Sequence, residues 1–308
     1  MLSSFRYLLI EMRPKQWTKN FFIFAAVLFA RKFDDPIVMG HLIIGFIIFC
    51  AIAGTVYIIN DWLDREKDRL HPEKRMRPIA SGKINPHFAL TTAGILGFIG
   101  FTTSWIWLGN AASIILLFYL VINILYSFWL KHAVIIDINI VAIGFILRVL
   151  FGVIVIKKIH PTISASPWLL LCTFFLALFL AAAKRRHELL YTRAAVDHRK
   201  SLRDYSEELI DAILAIAAAA AIICYSLYTV FIELPLSKMQ GAPEPIHNLY
   251  FTVPLVVIGI MRYMYLIIKK QEGGAPEKIL LTDRPLQAVI LLWIVTVIAL
   301  AYMPRSIS

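Results

Sequence analysis

The sequence predicts an all-α fold, a polytopic membrane bundle of about nine transmembrane helices, and three observations carry that reading. Apolar residues fill 59% of the 308 positions and charged residues only 17%, where a soluble domain holds about 45–50% and about 25%. The excess is gathered in blocks. Ile37–Ile59 and Trp168–Ala183 run almost without charge, and a helix of about 20 such residues crosses a hydrocarbon core roughly 30 Å thick. The basic residues collect between alternate blocks. A soluble bundle would need several helices apolar on every face to look like this.

Taken in order, the spans fall at about 18–31, 37–61, 86–107, 111–130, 133–156, 166–183, 206–232, 249–268 and 286–303. The first is the shortest and begins among polar residues. The earlier apolar run Tyr7–Ile10 is too short for a signal peptide and is followed by charge, so the first span is expected to serve as the targeting segment. With the N-terminus inside, the inner segments hold roughly four times the Lys and Arg of the outer ones, which sets N-in, C-out. The same rule accounts for most of the net charge of +11, so the basicity does not point to nucleic acid. Cys50, Cys172 and Cys224 lie in apolar blocks at unrelated spacings, and read as small core residues rather than a disulfide or zinc framework. The chain 1–308 reads as one domain with two long charged inner loops, 62–85 and 184–205. The long outer loop 233–248 is poor in charge and contains Pro235, Pro243 and Pro245.

Chemistry concentrates where the second span ends, in Asn60-Asp61-Trp62-Leu63-Asp64-Arg65-Glu66-Lys67-Asp68. At about 100° per residue, Asp64 lies about 40° from Asn60, Asp68 about 80° and Asp61 about 100°. Three carboxylates and an amide therefore share one face over two turns, and like charges so placed repel unless a cation sits among them. Hard oxygen donors in this number suit Mg²⁺, which takes one or two carboxylates together with waters and substrate phosphates. Asn60, Asp61, Asp64 and Asp68 are the candidate metal ligands. A solvated helix end, its acids paired with Arg65, Lys67 and Arg69, is the plainer reading.

The stretch that follows, His71 to Lys83, carries Lys74, Arg75, Arg77 and Lys83, with Pro78 and Gly82 shaping a loop. Lys74, Arg77 and Lys83 are the candidate phosphate contacts; attraction to anionic lipid is the alternative. Near the N-terminus, Arg13-Pro14-Lys15-Gln16-Trp17-Thr18-Lys19-Asn20 leads straight into a span. Trp17 fits an interfacial anchor, and Lys19 and Asn20 are candidates to enter the cavity. The second inner loop opens on Lys184-Arg185-Arg186, a cationic cluster, and its His187 reads as a hydrogen-bonded loop residue. Arg148 sits about 16 Å along the fifth span from Asp137. An arginine at that depth is costly unless it meets a polar cavity or a partner. It is read as cavity-facing and able to grip a lipid phosphate, with a buried pair to Asp137 or another acid as the other reading; Arg262 has less polar company. Tyr126, at the inner end of the fourth span, is placed to hydrogen-bond a substrate.

Asn60-x₃-Asp64-x₃-Asp68 followed by Arg77-Pro-Ile-Ala-Ser-Gly82, on nine spans, resembles the UbiA superfamily of intramembrane prenyltransferases over essentially the whole chain. Two further stretches, Arg13 to Asn20 and Ala183-Lys184-Arg185, resemble the branch that moves 5-phosphoribose from phosphoribosyl diphosphate (PRPP) to a polyprenyl phosphate such as decaprenyl phosphate. The product of that branch feeds lipid-linked arabinose for cell-wall polysaccharide. The resemblance implies an Mg²⁺-dependent transferase of a bacterial inner (plasma) membrane, with active-site loops cytoplasmic and with Asn60, Asp64 and Asp68 at the catalytic centre. Aromatic prenyltransferases carry a second aspartate-rich motif after the sixth span. Here that loop begins with cations, although Asp204-x₃-Glu208 imitates a shifted motif. PRPP has phosphate at both ends, so Lys184 and Arg185 are expected to hold its 5-phosphate, away from the acidic face. Aromatic prenyl transfer from a prenyl diphosphate is the enzymatic alternative. Transport is disfavoured because the acids cluster at a helix end rather than at mid-depth. The residues leave the oligomeric state open, a homo-oligomer included.

Overall fold

The structure, a computed structural model, describes residues 2–72, 74–191, 200–231, 246–270, 279–280 and 282–302. Expectations resting on 192–199 (Asp197 among them), on the proline-bearing loop 232–245 and on Lys278 lie outside the described residues.

The helices are α1 (Leu2–Glu11), α2 (Ala25–Phe29), α3 (Pro36–Leu70), α4 (Pro86–Trp107), α5 (Asn110–Phe128), α6 (Ile136–Ile159), α7 (Pro167–Tyr191), α8 (Glu207–Phe231), α9 (Val253–Ile268) and α10 (Arg284–Tyr302). No strand occurs among the described residues. Among the described residues, eight helical stretches are long and apolar enough to cross a membrane: α3 to α8, Leu249–Ile268 and α10. The first expected span differs. Pro14–Phe24 is a 3₁₀ segment of 11 residues that runs into the five-residue α2. At about 2.0 Å per 3₁₀ residue and about 1.5 Å per α residue, the pair still reaches roughly 30 Å. The tighter coil lies hard against α6, where Gly152 presents only hydrogen to the Ile23 carbonyl.

Local sequence explains the helix starts. Asp35 accepts hydrogen bonds from the Ile37 and Val38 amides, and Asn85 from those of His87 and Phe88. Each cap is followed by a proline at the first helical position, where no partner for its nitrogen is needed. The 35 residues of α3 run about 52 Å, well beyond a hydrocarbon core of about 30 Å. The surplus is the polar end from Asn60 to Leu70.

Among the described residues, the two largest of five apolar clusters hold the bundle. One joins the 3₁₀ segment, α2, α3, α5 and α6, with Phe49 packed against Tyr119 at 4.7 Å and Phe151 at 5.4 Å between ring centroids. The other joins α7, α8, α9 and α10 around Phe179, Leu214, Tyr263 and Leu266. Helices α6 and α7 pack together and connect the two halves, and a cavity opens beside them at the end where α3 overshoots.

Candidate active site

The cavity measures about 360 Å³. One wall is the polar end of α3 with Asn60, Asp64 and Asp68, joined by Lys74 and Arg77 from the following loop. Arg13 and Lys19 enter from the N-terminal side, Tyr126, Ser127, Lys131 and His132 from the end of α5, and Lys184, Arg185 and Glu188 from α7. The floor is made by Tyr119, Gly144, Phe145 and Arg148. Ten of the thirteen candidate residues therefore line one cavity, although they come from five separate parts of the chain.

The other three are placed differently. Asp61 is buried and turned away from the cavity: Arg13 reaches both of its oxygens, at 2.5 and 2.7 Å, and Arg77 a third contact at 2.9 Å. Its offset of about 100° from Asn60 carries it to the flank of α3, so it serves as the anchor of two arginines. Asn20 is fully buried behind the cavity, donating to Cys50 Sγ and accepting from Arg148 Nε at 2.8 Å. Lys83 is exposed and lies over the Tyr7 ring, outside the cavity, because the chain turns away at Gly82, which has φ of 74°.

Arg77 joins Asp61 to Asp68, with its second contact at 2.6 Å. Arg13 adopts a left-handed backbone, φ 52°, a conformation that costs a non-glycine residue on the order of 1 kcal/mol or more and is held here by the two-pronged bond to Asp61. Glu11 closes the same corner by accepting the Ile79 amide at 2.6 Å. Burial and the neighbouring Asp61 carboxylate push the Glu11 carboxyl up to about 8.

Lys131 is a lone basic residue between two spans. In the fold, its ammonium touches both oxygens of Asp64 at 2.8 Å. The turn that carries it, Leu130–His132, is clamped by Ser201, whose hydroxyl donates to the Lys131 carbonyl at 2.9 Å. Just beyond, Ile135 stands at φ 67°, ψ −45°, rare for a β-branched residue. Its amide donates to the Tyr205 hydroxyl at 2.7 Å, and that hydroxyl donates to Asp137 at 2.8 Å. Burial and Asp137 raise the Tyr205 phenol above its ordinary range, so it remains a donor. Neither Lys131 nor Tyr205 stands in a motif; a lone lysine at the polar end of a span was the only signal for the first.

The cationic start of the second loop divides on folding. Lys184 is exposed and lines the cavity. Arg185 is buried and spends its donors on Asp137 (2.7 Å), Glu188 and the Tyr126 hydroxyl (3.1 Å). Two carboxylates thus neutralise the arginine expected to bind phosphate. Arg186 turns outward to Asp211 and Glu207, while Asp204 and Glu208 are exposed and absent from the cavity wall. Arg262 pairs with Asp283 at 2.8 Å, far from this centre in the chain.

Among the described residues no three Asp, Glu, His or Cys side chains converge as a ready cage for a metal. That suits Mg²⁺, which uses one or two carboxylates and fills its remaining positions with water and phosphate. Asn60, Asp64 and Asp68 are the oxygen donors that α3 brings to the cavity wall, and Glu188 is the carboxylate on the facing α7 wall.

A helical membrane bundle with a charged cavity joining a metal-type acidic wall to cationic walls defines an integral membrane transferase. The chain belongs to the UbiA prenyltransferase family, whose family model matches residues 20–195. It is 35% identical over 300 residues to the decaprenyl-phosphate phosphoribosyltransferase of Mycolicibacterium smegmatis, covering 96% of this chain and 92% of that one. It is 33% identical to the protein of the same name from Corynebacterium glutamicum, over 94% of this chain and 85% of the other. The fold is similar to that of a UbiA homolog from Archaeoglobus fulgidus bound to GPP and Mg²⁺, with a TM-score of 0.71 at 19% identity, covering 96% and 99% of the two chains.

Proposed function

We propose that this enzyme transfers a 5-phosphoribosyl group from PRPP to a polyprenyl phosphate, releasing diphosphate. The observation that carries the reading is near full-length similarity, at 35% and 33% identity, to proteins named decaprenyl-phosphate phosphoribosyltransferase. The cavity is consistent with it, since α3 brings Asp64 and Asp68 to one wall and, among the described residues, no other aspartate lines it. In this reading the cavity faces the cytoplasm of a bacterium, where PRPP is available, and the prenyl tail stays in the bilayer. The product is a precursor of lipid-linked arabinose.

Asn60, Asp64 and Asp68 would hold Mg²⁺, which supplies positive charge to a diphosphate leaving group. Lys74 and Arg77 add fixed positive charge on the same wall, and the Arg77–Asp68 contact orients that side chain before substrate arrives. Lys131 brings a further ammonium to the same rim, and Lys19 and Lys184 place cations on the facing walls. The bond from ribose C1 to the diphosphate oxygen breaks, the electron pair leaving with diphosphate. A bond from C1 to an oxygen of the lipid phosphate forms on the opposite face, with inversion. The attacker is already an anion near neutral pH, so no base need remove a proton, and catalysis rests on positioning and electrostatics.

The test offers purified protein Mg²⁺, labelled PRPP and a polyprenyl phosphate, and in parallel a prenyl diphosphate with 4-hydroxybenzoate. Label entering an organic-extractable lipid in the first reaction, and lost with EDTA, is the expected result. Product only in the second would replace this reading with aromatic prenyl transfer.

A further inference from the structure

Among the described residues three arginines are buried, and two of them are neutralised: Arg185 by Asp137 and Glu188, Arg186 by Asp211 and Glu207. Arg148 is the exception. It is 5% exposed on a membrane-spanning helix, and among the described residues no carboxylate pairs with it. Its contacts are neutral. Nε donates to Asn20 Oδ1 at 2.8 Å, one terminal nitrogen to the Gly144 carbonyl at 2.7 Å, and the other to the Tyr119 hydroxyl at 2.9 Å. The rings of Tyr119, Phe49 and Phe145 surround it at 4.9, 5.2 and 5.3 Å from the guanidinium carbon.

A guanidinium has five N–H donors, and three are engaged. One N–H on each terminal nitrogen remains, and Arg148 lines the cavity floor. That pair is the fork that binds two oxygens of a phosphate. Aromatic faces recover part of the cost of burying a cation, but a buried charge normally has a counter-charge, and the described residues supply none.

We propose that the floor of the cavity is a phosphate-monoester subsite in which the substrate completes the ion pair that Arg148 lacks. Asn20 and Tyr119 are positioning residues that fix the fork. Naming the source of the phosphate rests on the proposed function: it is either the 5-phosphate of PRPP or the phosphate of the lipid. The subsite thus offers phosphate a guanidinium with no carboxylate partner among the described residues, where Arg185 is already paired with Asp137 and Glu188.

The experiment measures binding to full-length protein in detergent with EDTA present, so that metal-held phosphate does not contribute. Ribose 5-phosphate and farnesyl phosphate are titrated separately, with ribose and farnesol as controls lacking phosphate. At least one phosphate ligand should bind, and Arg148→Gln should weaken it on the order of 10- to 100-fold, the value of a charge-assisted pair of bonds, with Arg148→Lys between. Which ligand loses affinity identifies the source. Asn20→Asp, nearly the same shape, would give Arg148 an internal counter-charge and should weaken the same ligand even if Arg148→Gln fails to fold. Unchanged affinity in Arg148→Gln or in Asn20→Asp, or no phosphate-dependent binding to the wild type, would overturn the subsite. Arg148-dependent binding without any phosphoribosyl transfer would leave the subsite standing and remove the proposed reaction.

Discussion

Replacing Gly152 with alanine puts one methyl group where the fold has no room. A Cβ built there would lie 2.1 Å from the carbonyl oxygen of Ile23, and 3.0 and 3.3 Å from that residue's carbonyl carbon and Cα. All three are backbone atoms, so no side chain can swing aside. Real Cβ contacts essentially never fall under 3.0 Å, so α6 and the 3₁₀ segment must separate by about 0.9 Å. Overpacking of this kind costs about 1–3 kcal/mol and more where backbone must move; about 3 kcal/mol is the expected value here. For a chain of 308 residues that corresponds to a fall in Tm of roughly 5 °C. The 3₁₀ segment also carries Lys19 and Asn20, so transfer activity should drop with stability. The control is Gly94→Ala, on an exposed face of α4 with nothing within 4 Å of the added atom. It removes a helix-interior glycine and should be neutral or stabilising by up to about 1 kcal/mol. Thermal unfolding in detergent, followed by intrinsic fluorescence, reads both. Equal Tm for wild type and Gly152→Ala would refute the close contact between α6 and the 3₁₀ segment.

Asp64→Asn should abolish turnover and, by leaving the buried Lys131 ammonium without its carboxylate, cost on the order of 1–3 kcal/mol. Adding Lys131→Met should recover much of that stability without recovering activity, a coupling read by a double-mutant cycle of unfolding and turnover; additive stability losses would remove the pair. Glu11, raised to about 8 in the fold from an ordinary 4.5, holds its proton more tightly folded than unfolded. Its stabilising effect is complete below about pH 4.5 and is lost as pH climbs toward 8. Glu11→Gln, which keeps the acceptor for the Ile79 amide, should flatten that part of the Tm–pH curve, and an unchanged slope would contradict it. Asp283 accepts from the Leu286 amide at 2.9 Å and from Arg262, and is held below the ordinary carboxylate range chiefly by that arginine. Asp283→Ala should cost about 1 kcal/mol through the lost helix cap, and the wild-type contribution should vanish as pH falls below about 4, both measurable by thermal unfolding.

How the active site divided between sequence and fold follows from individual residues. Asn60, Asp64 and Asp68 were legible because they belong to one helix, and helical geometry alone puts them on one face. The same geometry set Asp61 near the edge of that face, but whether it turned to the cavity or to Arg13 depended on where a segment 48 residues away came to rest. Lys131 and Tyr205 carry no local pattern at all. Each acquires its role from partners 67 and 68 residues distant, at Asp64 and Asp137. Arg185 looked like a phosphate ligand because the acid that neutralises it most deeply, Asp137, lies on another helix.

The transmembrane character, the span boundaries and the acidic helix end were determined by the sequence itself, because hydrophobic blocks and helical periodicity are short-range properties of the chain. Tertiary structure alone decided that the first span is a 3₁₀ coil pressed on Gly152, and which arginines meet a carboxylate. It also decided that Arg148, at the cavity floor, meets only neutral partners among the described residues. Ion pairing inside a bilayer depends on which helices touch, and no local stretch of residues encodes that contact.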